Sequence, residues 1–415
     1  MKHNFALFLL ALIAATTPAL APAQTNNQPV TKYELDPLGK NTIPIVIAGD
    51  AQLAAHARKA FSAHGAYSVL AADGKYTFTF TSVAPAQVRV AIAQKGSPTI
   101  TNITASGASA LDALYRAADA AVKATASLPG FFTSRLAFVS NNTGADEIYV
   151  SDLFLNEARA ITNNRATILM PRWSPDGRRI LFTSYFKYRA PSLFRIDVNN
   201  LLVTDYAAYN GTNMSGRYSP DGSRVAMVIG IAGGNTNLYI GGPDGRAKPT
   251  PITNSSEAKA SPCFSPDGQR IVFVMQPGPQ LYIMPAAGGV PARLVTRVNY
   301  AAEPDWSRAN PNLIAFTTQV GGAFRIAVYD MSTGRTRIIT PKSASGAPLG
   351  GDFIEPSWLP DGRHVVCTQR PATGNQRFLY ILDTGDPQSK DDQMINRATQ
   401  LSALRAEQAS VLAQP

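Results

Sequence analysis

Cysteine is nearly missing, with only Cys263 and Cys367 in a chain of 415 residues. Two thiols in non-adjacent stretches cannot supply a disulfide framework, and both read as buried apolar residues. Histidine is almost as scarce, at four residues. His3 falls in a leader-like start, His56 and His64 stand too far apart on one helix for a shared metal site, and His364 is alone in the second half. Ser-His-acid chemistry is therefore poorly provided for, and no Gly-x-Ser-x-Gly turn occurs. There is no glycine-rich phosphate loop and no short loop with enough oxygens for calcium, so neither cofactor nor metal is expected. After the first residues, no run is long and apolar enough to span a bilayer. Lys and Arg outnumber Asp and Glu by 38 to 28, but they are scattered. Nucleic acid is not indicated, and a mildly basic surface facing an anionic envelope is.

What is present begins with an address. Lys2 and His3 precede an apolar run over residues 5–15, and Ala21-Pro22-Ala23 offers a small-x-small cleavage site before Gln24. Residues 1–23 are expected to be a cleaved export signal, leaving a protein soluble outside the cytoplasm. Residues 24–41, polar and interrupted by Pro29 and Pro37, are expected to form a flexible arm.

Residues 42–128 read as a small α/β domain. A strand over 42–48 leads to a helix with Asp50 as N-cap and Leu53, Ala54, Ala57, Ala60 and Phe61 on one face. Residues 76–81 and 88–93 alternate as half-buried strands, and 99–104 is a further candidate. Ser109-Ala110-Leu111-Asp112 opens a second helix with a capping-box pattern, and Leu128-Pro129-Gly130 ends it.

From residue 131 to 401 the pattern is strands only, and it repeats. Trp173-Ser174-Pro175-Asp176-Gly177, Tyr218-Ser219-Pro220-Asp221-Gly222 and Phe264-Ser265-Pro266-Asp267-Gly268 are close copies. Trp306-Ser307 and Trp358-Leu359-Pro360-Asp361-Gly362 are altered ones. Proline presets the first corner, Asp suits the second, and Gly takes the left-handed exit. A period near 45 residues with strand-like contents predicts a six-bladed β-propeller, the aromatic residue before each turn filling the wedge between blades. Blade one lacks an obvious inner strand, and residues 402–415 read as a helical tail, so the sequence does not locate the closure of the ring.

The junction Leu128-Pro129-Gly130-Phe131-Phe132-Thr133-Ser134-Arg135-Leu136-Ala137-Phe138-Val139, with the leader, the small domain and the repeats, resembles the TolB family of periplasmic Tol-Pal proteins. The family's terminal Trp-Ser-Pro strand is missing, and the first domain is shorter than usual. The resemblance implies a periplasmic, monomeric binding protein without catalysis, cofactor or membrane insertion. It implies a Pal-like lipoprotein at the channel mouth and a TolA-like protein on the N-terminal arm, in support of outer-membrane integrity and division. Carried onto this chain, the partner-binding segments are Leu169 and Met170; Asn213, Met214, Ser215 and Gly216; Ala260 and Ser261; Ala302 and Glu303; and Ile354 and Glu355. Glu303 and Glu355 occupy matched places, and Arg172 and Arg217 are the cations expected nearest them. The rival readings are a propeller hydrolase or lyase, and a glycan-binding propeller using Tyr185-Phe186-Lys187-Tyr188.

Overall fold

The computed structural model describes residues 42–231, 234–343, 346–385 and 397–413. The expected export signal and the arm over 24–41 lie outside the described residues. The architecture is a six-bladed β-propeller preceded by a small α/β region.

In the small region, α1 (Ala51–Ala63) and α2 (Ala110–Ala126) pack on a five-stranded sheet. Its strand order is Tyr67–Leu70, Ile43–Gly49, Tyr76–Ala84, Gln87–Gln94, Ile100–Ser106. Ile43–Gly49 is parallel to both neighbours, and the remaining pairs are antiparallel. Strand Tyr67–Leu70 leaves no mark in the sequence, because four residues are too few to show alternation. Ser109 caps α2 as expected, its Oγ accepting from the Asp112 amide at 3.2 Å. Asp50 stands at the start of α1 but makes no side-chain cap. Its carboxylate instead accepts from the Ser82 amide at 2.7 Å, tying the helix start to the sheet. Phe61, Tyr67, Phe78, Phe80 and Phe132 are fully buried between helices and sheet.

The propeller consists of six four-stranded antiparallel sheets. Their innermost strands, blades two to six, are Ile168–Trp173, Gly211–Tyr218, Lys259–Phe264, Ala301–Trp306 and Asp352–Trp358. The structure corrects the reading of the C-terminus. Glu407–Leu412 is a strand, not helix or tail, and is the missing innermost strand of blade one, antiparallel to Arg135–Ser140. One terminus thus completes the sheet begun by the other. Ala398–Gln400 is the outermost strand of blade six.

The repeated turn has a definite job for its serine. In blade two, Ser174 Oγ donates to Asp176 at 2.5 Å and accepts from the Arg179 amide at 2.9 Å. Gly177 takes φ = 68°, where a side chain would be strained. The same bonds recur at Ser219 and Ser265. In blade six, where Leu359 replaces the serine, the Nδ1 of His364 engages Asp361 at 2.5 Å instead.

Each aromatic residue before a turn lies in the apolar cluster between its own blade and the preceding one. Trp173 packs with Val139 and Val150, Tyr218 with Leu181 and Leu193, Phe264 with Val228, Trp306 with Val272, and Trp358 with Val328. An arginine of the preceding blade covers three of these rings. Arg135 lies over Trp173, Arg224 over Phe264 and Arg270 over Trp306, at 5.1–5.4 Å from the ring centroids.

Candidate functional site

The innermost strands all run from one face of the ring to the turns on the other, and they enclose an axial channel. One residue in each strand has left-handed backbone: Gln408, Met170, Ser215, Ser261, Glu303 and Glu355, in blades one to six, with φ between 50° and 58°. None is glycine. At each of them the pairing with the second strand shifts register, so every blade carries a β-bulge at the same level. Proline follows in four blades, at Pro171, Pro262, Pro304 and Pro356. At a bulge on a sheet edge, its missing N–H costs no ladder bond.

In four blades the amide freed by the bulge is caught by the preceding blade. Ser215, Glu355 and Gln408 donate to Thr183, Thr317 and Thr368 at 3.3, 3.0 and 2.9 Å. Val139, opposite Met170, offers no hydroxyl, and the Met170 amide turns to the Gln408 side chain at 2.8 Å. These bonds stitch blades together around the channel where a non-glycine αL residue alone would be strained.

At this waist the open volume is about 40 Å³, room for no more than a few waters. Glu303 and Glu355 both border it. The Glu303 carboxylate accepts from Thr317 Oγ1 at 2.7 Å and from the Glu355 amide at 3.1 Å. Glu355 accepts from Thr368 Oγ1 at 2.9 Å. Burial first, and the nearby Glu355 charge second, push the Glu303 carboxyl up to about 7. Arg217 does not pair with either glutamate. It crosses from blade three to form an ion pair with Asp305 of blade five, which also accepts from the Trp358 amide at 2.6 Å. Arg172 donates to the carbonyls of Pro171 and Ala409, and burial lowers its pKa to about 10, with Arg217 adding to the shift.

Of the residues proposed for partner contact, Met170, Ser215, Gly216, Ser261, Glu303 and Glu355 line the waist. The others do not. Met214, Ala260 and Ala302 pack in cores between blades, and Leu169 and Ile354 are buried. Asn213 folds back on its own loop, bonding the carbonyl and amide of Tyr209 at 2.7 and 3.1 Å. All of these segments lie within the inner strands, not in loops that precede them. Arg172, Arg217, Pro262, Pro304 and Gln408 also border the waist and were not among them. The X-Pro step two residues before an aromatic was the available signal for the bulge.

His364 is not placed for hydrolysis. Its Nδ1 engages Asp361, and its Nε2 accepts from the Gly65 amide at 3.1 Å, joining the small region to blade six. The Tyr185–Tyr188 loop is likewise occupied. Phe186 and Tyr188 lie 4.5 and 6.2 Å from the Phe194 ring of the same blade, and Tyr188 donates to Asp205 at 2.6 Å. Among the described residues no three His, Cys, Asp or Glu side chains form a metal-binding group, and no helix is long and apolar enough to cross a membrane.

Comparison with known proteins agrees with this geometry. Residues 123–391 match the family described as the TolB beta propeller domain. A Tol-Pal system protein TolB of Anaeromyxobacter dehalogenans strain 2CP-1 is 30% identical over 158 residues, 38% of this chain and 36% of that protein. One from Anaeromyxobacter sp. strain K is 32% identical over 139 residues, 34% of this chain and 31% of that protein. The matched stretch thus spans about a third of these curated relatives. The crystal structure of TolB from Acinetobacter baumannii superimposes with a TM-score of 0.76 at 21% identity, covering 90% of this chain and 97% of that one.

Proposed function

The chain belongs to the TolB β-propeller family, and from that premise we propose that it is a non-catalytic, periplasmic binding component of a Tol-Pal-type system. The proposed partner at the channel is a Pal-like lipoprotein, docked on the face where the inner strands begin. A TolA-like protein is proposed to engage the arm over 24–41, so that the chain, acting as a monomer, supports outer-membrane integrity and constriction at division. One observation carries the reading. Six inner strands converge on a waist whose glutamates are bonded to threonines of the neighbouring strands, so the propeller has most to offer as a rim for a partner's surface. Loops of five or six blades, spread around one opening, suit a protein ligand better than a small one.

The test uses the chain from Gln24 onward as bait in an envelope extract from its own cell. The expected catch is a Pal-type lipoprotein. Deleting residues 24–35 should leave that catch intact while removing a TolA-like protein. Polysaccharide as the sole catch, or loss of both proteins on the deletion, would overturn the assignment.

A further inference from the structure

The other end of the channel, where the inner strands finish, opens into a cavity of about 240 Å³. Arg172, Arg217 and Arg308, from blades two, three and five, all border it. Asp305 is the single carboxylate among its lining residues, and it is already committed to Arg217 and to the Trp358 amide. The cavity therefore carries a surplus of two positive charges.

That surplus is not met by the glutamates of the waist. Glu355 and Glu303 attract Arg172 through space, but neither forms an ion pair with it among the described residues. Arg172 bonds only backbone carbonyls, at 3.1 and 3.5 Å. Arg308 has no hydrogen-bond or ion-pair partner among the described residues. Arg217 repels both Arg172 and Arg308. Arg172 and Arg217 are half-buried and Arg308 is exposed at the mouth, beside the walls of Trp173, Trp306 and Trp358, and their guanidinium groups repel one another unless an anion joins them. Guanidinium forks suit tetrahedral and planar oxyanions, and a phosphate group at neutral pH carries about −1.5 to −2 charges, which matches the surplus.

We infer that the turn-side mouth of the channel binds a phosphate-type dianion between Arg172, Arg217 and Arg308. The ligand is either a soluble phosphomonoester or the phosphate of a lipid headgroup. The site is distinct from the proposed partner face and does not rest on that proposal.

The experiment titrates inorganic phosphate into the full chain by calorimetry, with ionic strength held constant by chloride. Saturable binding at one site is expected. Arg172→Gln and Arg308→Gln should each weaken it about tenfold, and the double variant should abolish it. Arg308 holds no structural partner, so Arg308→Gln remains folded by circular dichroism and keeps the test decisive if Arg172→Gln does not. Phosphatidylcholine vesicles containing phosphatidic acid identify the source. Co-sedimentation lost with the same substitutions supports the site with a headgroup ligand. Phosphate binding without co-sedimentation supports it with a soluble one. No saturable phosphate binding by the folded wild type, or binding unchanged in Arg308→Gln, overturns the inference.

Discussion

His64 is completely buried where the small region meets blade six, stacked on Phe131 at 5.1 Å and edge-on to His364 at 4.9 Å. Its Nδ1 accepts from the Ala66 amide, and its Nε2 has no partner. Burial, then repulsion by His364, lowers its pKa from 6.5 to about 3, outweighing attraction by Asp361 and Asp383. The unfolded chain therefore takes up the proton first on acidification. Stability present above pH 6.5 is lost as pH falls toward 3, by about 1.4 kcal/mol per pH unit while the difference in proton binding persists. His64→Phe should flatten that part of the acid limb in urea titrations at several pH values, and an unchanged limb would show that His64 does not set it. Thr317 makes a second prediction at this scale. Thr317→Val leaves Glu303 without its hydroxyl donor and weakens the capture of the Glu355 amide, at a cost of about 1–3 kcal/mol. Val228 and Val274 occupy the equivalent place in other blades, so the substitution fits sterically. A change in denaturation midpoint within error would contradict the account.

Elements were legible where chemistry repeats. The proline-cornered turns and the aromatic before each one announced the blades, because turn geometry and wedge filling are local demands that recur in every copy. The closing strand was not legible. Residues 402–412 are mostly good helix formers, Ala and Leu above all, and their extended form comes from context. Glu407–Leu412 is paired with Arg135–Ser140, Val411 donates to Ser357 Oγ at 3.2 Å, and Trp173 donates to Ser410 Oγ at 3.3 Å. Tertiary pairing overrides propensity of this size. The ring of bulges was marked only by the X-Pro steps of four blades, since none of its left-handed residues is glycine. Its polar partners come from the neighbouring blade, hundreds of residues away for Gln408 and Met170. Ending the chain before Glu407 should leave blade one with three strands and an exposed inner edge. Thermal unfolding is expected to broaden and the protein to aggregate. A single sharp transition near that of the full chain would show that the closure is dispensable.

At the scale of the molecule, the two ends of the channel differ in charge and in company. The face where the inner strands begin sits above Glu303 and Glu355, and the turn face holds three arginines and the docked side of the small region. The waist between them is too narrow to pass more than water, so a ligand at one mouth cannot reach the other through the channel. The sequence told which kind of ring this is, but not which inner-strand side chains reach the axis, because the bulge rotates that choice by a residue. The most direct test of the central claim is hydrogen–deuterium exchange of the full chain with and without the soluble part of a Pal-type lipoprotein. The account predicts protection in the strand-start loops at 208–210, 256–258, 298–300 and 346–351, and unchanged exchange in the Ser-Pro-Asp-Gly turns. Protection confined to those turns or to the outer strands, or no complex at all, would contradict it.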